Sequence, residues 1–304
     1  MSSDYNRGIL DNLAGVAVYG GTKLVGVFGY PVEHSLSPVM HNSAFAALHL
    51  PYIYVPFCVA PSDLGDAIGS LKSLGIIGVN LTIPHKQAVL PYLDEITPEA
   101  REVGAVNTIH CTDSGRRLVG DNTDGYGFYA PLADAGWPVS GRRVVVLGAG
   151  GAARSVVFRL ARELAQITIV NRTRDRAVQL AEAVGQAGYG VVDVIEWSGG
   201  GTKALLAAIR DCDIIVQTTR LGMYPEAGQL PEIPLDALKP AHLVYDLVYN
   251  PVETALLREA KSRGCSTMTG VKMLVYQGAA AFHRWTGTWP PVDVMERAVI
   301  GSLT

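Results

Sequence analysis

The chain is poor in cysteine, with only Cys58, Cys111, Cys212 and Cys265 among 304 residues. They stand too far apart for a CxxC pair or a dense disulfide framework, so a reducing, cytoplasmic setting is expected. Long hydrophobic runs are missing too. No apolar stretch approaches the roughly 18 to 20 residues of a membrane span. Met1–Gly21 lacks the basic start and continuous apolar core of a signal peptide. Charge of one sign is scarce: the formal net charge is −3 and the pI about 6.2, which leaves no broad basic footprint for nucleic acid. There are no repeats or low-complexity tracts. Of the seven histidines, His34 and His41 flank a loop and a helix start without a third candidate ligand nearby, and no metal is expected.

What is present is ample apolar material. A hydrophobic fraction of 48% against 17% charged residues excludes disorder as the main state. At about 150 residues per domain, the length implies two domains. Residues 1–22 show no clear period and read as an extension of uncertain order. From Lys23, short apolar runs alternate with helical patterns. Strands are expected at Lys23–Phe28, Tyr52–Phe57 and Gly75–Leu81, with helices at Pro38–Leu48 and Ser62–Leu74. Val103–His110 and Arg117–Val119 read as two strands around a turn at Asp113-Ser114-Gly115. A second series starts at Gly141. It has strands at Arg142–Leu147, Ile167–Asn171, Asp213–Thr218 and Leu243–Val248, helices at Ala152–Leu164 and Arg174–Ala187, and a closing helix at Val271–Trp285. Alternation of this kind implies an α/β chain with a parallel sheet covered on both faces.

The strongest local motif is Gly148-Ala149-Gly150-Gly151-Ala152-Ala153-Arg154, between a strand and a helix. Gly148 permits the tight turn, Gly150 lets a pyrophosphate approach the backbone, and Ala153 fills the third small-residue slot. The helix N-terminus offers its free N–H groups to the anion. An NAD site would place an acid at the end of the next strand, about 20 residues on. That position reads Asn171-Arg172-Thr173-Arg174-Asp175-Arg176. Arg172 and Arg176 suit a 2′-phosphate, so NADP is favoured over NAD.

Polar clusters sit just beyond the strand ends of the first half. Ser35 and Ser37 alternate in His34-Ser35-Leu36-Ser37-Pro38, so both hydroxyls can meet one ligand. Ser37 before Pro38 also suits an N-cap. Asn80 and Thr82 alternate in the same way, with Lys86 just past Pro84. Asn107 lies within what reads as an apolar strand, where an amide needs a partner. In Asp121-Asn122-Thr123-Asp124 one acid is expected to cap the following helix. Together these groups can bind a polyol or carboxylate and manage a proton.

At this point the chain resembles the shikimate dehydrogenase family. The resemblance rests on Gly29–Pro38 with His41-Asn42, Asn80–Lys86, Gly104–Thr108, Gly120–Gly125, the Gly148–Arg154 turn, Asn171-Arg172-Thr173 and Met273–Gly278. It implies reduction of 3-dehydroshikimate to shikimate with NADPH. It implies an N-terminal α/β substrate domain over 23–124, completed by helices over 270–304. A Rossmann-type NADP domain would occupy 125–269, with a cleft between the two. By the same resemblance Ser35 and Ser37 bind the substrate carboxylate; Asn80, Thr82, Asn107 and Gln277 hold the ring hydroxyls; and Tyr249 reaches the substrate from the nucleotide domain. Lys86 and Asp124 form the catalytic pair, and which of them transfers the proton stays open. Cofactor contacts are implied for Gly148, Ala149, Gly150, Gly151, Ala152, Asn171, Arg172, Thr173, Arg176, Thr218 and Gly270, with Met223 against the nicotinamide. Arg220 departs from the family, standing where many members carry a small residue or Pro. Gly270-Val271-Lys272 replaces a more usual Gly-Leu-Gly. The partners expected are a small-molecule substrate, no nucleic acid and no membrane, in a monomer or homodimer.

Overall fold

A computed structural model describes residues 18–197 and 202–303. Most of the expected N-terminal extension, residues 1–17, lies outside the described residues. Residues 18–22 lead into the first strand through a turn in which the Thr22 N–H donates to the Tyr19 carbonyl at 2.9 Å. The chain divides into two compact units. One runs to Thr123 and resumes at Val275, and the other takes Asp124–Leu274.

The first unit contains β1 (Lys23–Gly29), α1 (Ser37–Ala47), β2 (Tyr52–Cys58), α2 (Leu64–Ser73), β3 (Gly78–Leu81), α3 (His85–Ala88), β4 (Glu95–Ile96), α4 (Pro98–Val103), β5 (Thr108–Thr112) and β6 (Arg117–Asp121). Its sheet has the order β2-β1-β3-β5-β6-β4. β1 is parallel to both β2 and β3, and β5 is antiparallel to β3 and to β6. The tips of β1 and β3, the start of β5 and the end of β6 therefore share one edge. One face is covered by α2 and the apolar cluster around Ile68, Leu71, Val79, Ile109 and Leu118. On the other, Asn42 of α1 clamps Tyr54 in β2. The Asn42 amide donates to the Tyr54 carbonyl at 2.9 Å, and the Tyr54 N–H donates back to Asn42 Oδ1 at 2.8 Å.

Three local expectations are corrected. Val103–His110 is not one strand: Thr97 caps α4 by accepting from the Ala100 N–H, the left-handed Gly104 ends that helix, and β5 begins only at Thr108. Asn107 thus precedes the strand. Ser37 is not a cap but the first residue of α1, where Leu36 holds the capping position without a side-chain bond. The helix placed at Ser62–Leu74 starts two residues later, because Pro61–Asp63 turns as a 3₁₀ segment.

The second unit contains α5 (Asp124–Asp134), β7 (Arg143–Leu147), α6 (Gly151–Arg162), β8 (Gln166–Asn171), α7 (Arg174–Gln186), β9 (Asp193–Glu196), α8 (Lys203–Asp211), β10 (Ile214–Gln217), β11 (Leu243–Asp246), α9 (Ala255–Ser262), β12 (Ser266–Met268) and the start of α10 (Gly270–Thr286). The last helix, α11 (Val292–Gly301), belongs to the first unit and packs on α1. The second sheet, β12-β11-β10-β7-β8-β9, is parallel throughout. This is the doubly wound Rossmann order, with its switch point between β7 and β10. Its strands are buried apolar runs: Val144–Leu147 and Ile214–Val216 are all 2% exposed or less. Among the described residues no helix is long and apolar enough to cross a membrane.

Candidate functional site

The first unit gathers its polar side chains at the shared strand edge. Asn80 Nδ2 donates to the Asn107 carbonyl at 3.1 Å and to Thr108 Oγ1 at 3.0 Å. A carbonyl can only accept, so that contact fixes the amide orientation and turns Oδ1 toward Tyr54, whose hydroxyl donates to it at 2.9 Å. Asn107 Nδ2 donates to Thr123 Oγ1 at 3.0 Å and to Gln277 Oε1 at 3.4 Å, while its Oδ1 accepts from the Thr123 N–H at 2.8 Å. Asn80, Asn107, Thr108 and Thr123 are all buried. A satisfied network of this kind holds one arrangement.

Tyr54 is a member of this network that the sequence reading missed. Burial pushes its phenol well above the ordinary tyrosine range, opposed by a hydrogen bond with the Ser37 side chain. Its hydroxyl supports Asn80. The signal was the period-two pattern Tyr52-Ile53-Tyr54, which puts Tyr54 inside, where its hydroxyl needs a partner. His41 stacks on Tyr54 at 4.4 Å and 4°. Burial pushes the His41 imidazole down to about 3, and neither ring nitrogen has a hydrogen-bond partner among the described residues.

Ser35 stands outside the network, its Oγ accepting from the Ser37 N–H at 3.3 Å. Thr82 follows β3 and ties its tip to β1, its N–H donating to the Phe28 carbonyl at 3.0 Å. Lys86, half-buried, lies in the single turn of α3. Two bonds fix that turn: His85 Nε2 pairs with the Val59 carbonyl at 2.8 Å, and the Val106 N–H donates to the Lys86 carbonyl at 2.8 Å. Asp121 is not the expected helix cap. It accepts from Thr97 Oγ1 at 2.8 Å, from the Asn122 N–H at 2.8 Å and from Arg284 Nε at 2.8 Å. Asp124, buried, is the first residue of α5 in the second unit and directly follows Thr123.

In the second unit the glycine turn meets the loop after β10 at the switch point. Gly148 has φ +112°, and a Cβ there would lie 2.6 Å from Thr218 Oγ1 and 3.0 Å from Thr219 Cγ2. The Thr218 hydroxyl donates to the Leu147 carbonyl at 2.7 Å, locking the two segments together. Ala149 follows, half-exposed. Gly150 precedes α6 with no side-chain cap, and neither Gly150 nor Gly151 has anything within 4 Å of where a Cβ would be. Ala152 is half-exposed beside them. The open N–H groups of this first turn are a fit place for a pyrophosphate.

Beside it lies a cavity of about 730 Å³ lined by Asn171, Arg172, Thr173, Arg176, Trp197 and Arg220, among others. Asn171 Nδ2 donates to the Thr173 carbonyl at 2.7 Å and shapes the strand exit. The lining excludes Gly148–Ala152, Thr218, Met223 and Gly270. Met223 is exposed, and Gly270 is wedged against the Leu247 and Val248 carbonyls, where a Cβ would come within 2.6 Å of both oxygens. Tyr249 is half-buried. The segment before it is held by Asp246, which accepts from the Val248 N–H at 3.0 Å and from Thr254 Oγ1 at 2.6 Å. Burial pushes the Asp246 carboxyl up to about 6 against these bonds. Among the described residues no three His, Cys, Asp or Glu side chains gather as metal ligands do.

Comparison with known proteins gives three family matches. Residues 27–109 match the shikimate dehydrogenase substrate binding domain, residues 132–223 match shikimate / quinate 5-dehydrogenase, and residues 270–300 match the shikimate 5′-dehydrogenase C-terminal domain. The chain is 47% identical over 284 residues to the shikimate dehydrogenase (NADP(+)) of Desulforamulus reducens, covering 93% of this chain and 96% of that one. Among solved structures it is similar to a shikimate dehydrogenase in complex with NADP+, with a TM-score of 0.89, 42% identity, and coverage of 95% of this chain and 99% of that one. It is also similar to shikimate 5-dehydrogenase from Thermus thermophilus in complex with NADP(H) and shikimate, with a TM-score of 0.82, 37% identity, and coverage of 93% and 100%.

Proposed function

The chain belongs to the shikimate dehydrogenase family, and from that premise we propose how its own residues carry out the NADP-dependent interconversion of 3-dehydroshikimate and shikimate. The observation that carries the substrate side is the buried row Tyr54–Asn80–Asn107, ending on the half-buried Gln277, which holds a fixed polar surface at one sheet edge. The half-exposed hydroxyls of Ser35 and Ser37 suit the substrate carboxylate. Asn80, Thr82 and Gln277 suit the ring hydroxyls, and Tyr249 adds a contact from the second unit. Both hydrogens of the Asn107 amide are engaged within the network, so Asn107 acts on the substrate chiefly by aiming Gln277 and Thr123.

NADPH, when bound, supplies the hydride to the substrate carbonyl carbon. The first turn of α6, with Gly148–Ala152 and Thr218, suits its pyrophosphate. Asn171, Arg172, Thr173 and Arg176 suit the phosphorylated ribose, and Met223 and Gly270 the nicotinamide end. Lys86 and Asp124 are the catalytic pair in this reading. As the carbonyl oxygen gains charge, the Lys86 ammonium stabilises it and is the nearer choice of proton donor. The Asp124 carboxylate orients Lys86 or the neighbouring ring hydroxyl and favours the charged amine. The reading includes a cytoplasmic enzyme working as a monomer or homodimer on a small molecule alone.

The test is shikimate oxidation followed at the reduced-nicotinamide band, with NADP+ and NAD+ in parallel, then quinate in place of shikimate. Fast turnover with shikimate and NADP+ alone is expected. Equal rates with NAD+ or quinate would show that Arg172 and the Ser35–Ser37 pair do not select, while leaving the reaction class intact.

A further inference from the structure

The cavity beside the glycine turn is lined by arginines from two separate segments. Arg172 and Arg176 come from the end of β8 and the first turn of α7, whereas Arg220 comes from the loop after β10. Glu226 and Glu232 line the same cavity. Even so, among the described residues none of the three guanidinium groups forms an ion pair or a side-chain hydrogen bond.

Arg220 is presented by a rigid loop. Gln217 is fully buried, and its amide clamps both flanks of Arg220: Oε1 accepts from the Thr219 N–H at 2.9 Å, and Nε2 donates to the Leu221 carbonyl at 3.1 Å. The Leu221 N–H donates to Thr219 Oγ1 at 3.2 Å, and the Met223 N–H donates to the Arg220 carbonyl at 3.1 Å. Three like charges around one cavity repel each other, and Arg176, in the first turn of α7, also opposes its dipole. A dianion reverses both costs. Planar guanidinium forks bind phosphate oxygens in pairs, so several can share one phosphomonoester.

We propose that Arg220 is a third arginine of the 2′-phosphate subsite, acting with Arg172 and Arg176 to distinguish NADP(H) from NAD(H). This rests on the NADP reading above. It makes Arg220 a specificity-determining residue of this chain. Because the loop backbone is pinned by Gln217, only the Arg220 side chain has to be ordered on binding.

The test is calorimetric titration of adenosine 2′,5′-bisphosphate, and of 5′-AMP, which lacks the 2′-phosphate, into the wild type, Arg220→Leu and Arg220→Lys. Arg220 is exposed and, among the described residues, bonds to nothing through its side chain, so both variants should fold. The loss expected for Arg220→Leu is about tenfold in affinity for the bisphosphate and under about twofold for 5′-AMP, with Arg220→Lys between wild type and Leu. The affinity of Arg220→Leu for the bisphosphate should also fall less steeply with added salt. Equal losses for both ligands would put Arg220 against the adenine or ribose and overturn the proposal. An undiminished preference for the bisphosphate in Arg220→Leu would overturn it while leaving the NADP reading intact. A wild type with no preference would overturn both.

Discussion

The Tyr54 hydroxyl donates to Asn80 Oδ1 at 2.9 Å, so an interior residue of β2 supports the tip of β3 across the intervening β1. Tyr54→Phe keeps the ring stacked on His41 but strands the buried amide oxygen of Asn80. The expected loss of unfolding free energy is about 1–3 kcal/mol, the usual cost of an orphaned buried polar group. The KM for shikimate should rise severalfold while kcat falls less, because Asn80 loses alignment. Denaturant melts and steady-state kinetics check both. A variant with wild-type stability and KM would show that the bond neither supports the fold nor orients the site.

Lys86 sits in a single helical turn fixed through the His85 ring and its own carbonyl, and its half-buried side chain carries no part of the core. Lys86→Ala should therefore fold normally. A positioned acid contributes roughly 100- to 10,000-fold, so kcat should fall by at least about 100-fold with KM changed little. A folded variant that turns over like the wild type removes Lys86 from the chemistry.

Much of this was legible before any coordinates. The strands of the second unit announce themselves because they are buried on both faces and rich in Val and Ile, as Arg143–Leu147 and Ile214–Gln217 are. The Gly148 turn is legible because Gly148 itself answers a local backbone demand, with φ +112° and no room for a Cβ. What stayed hidden depends on contacts far along the chain. Val103–His110 looked like a strand because Ala105, Val106 and Ile109 are apolar. The Thr97-Pro98 start of α4 overrode that pattern, and Ala105 and Val106 are buried in a loop. Helix α11 came from the resemblance and not from periodicity, and its packing on α1, more than two hundred residues earlier, is visible only in the fold. Tyr54 and Gln217 each read as strand residues, and only the fold shows which polar groups they join.

Gly148→Ala is a sharper test of the switch point than any arginine change. It would add a Cβ 2.6 Å from Thr218 Oγ1 at a backbone angle that L-residues rarely adopt. Strain of this kind costs about 1–3 kcal/mol and should lower the melting temperature by several degrees. The displaced loop should also weaken nucleotide binding. At a hundred times the dissociation constant a ligand stabilises its protein by about 2.7 kcal/mol. Thermal melts with NADP+ should show that increment in the wild type and most of it missing in the variant. A variant stabilised by NADP+ as much as the wild type would show that the close approach is not required for binding.

Asp246 gives a pH dependence of unusual sign. Its carboxyl is pushed from 3.8 up to about 6 by burial, despite accepting from the Thr254 hydroxyl and the Val248 N–H. Between those two values the folded chain holds a proton that the unfolded chain has released. The contribution to stability is therefore fully present below about pH 4 and is lost as the pH rises through about 6. Two pKa units correspond to about 3 kcal/mol. Asp246→Asn keeps the shape and stays neutral. An amide has one oxygen where two donors converge, which adds a constant offset but no slope. Urea midpoints of both proteins from about pH 4 to about pH 7 should show the wild type losing up to about 3 kcal/mol relative to the variant as the pH rises, with all other titrations cancelling in the difference. A difference that stays flat across this range would mean that Asp246 is ionised at no cost, held by Thr254 and the Val248 N–H as an ordinary carboxylate. Its support of the segment leading to Tyr249 would then be independent of pH.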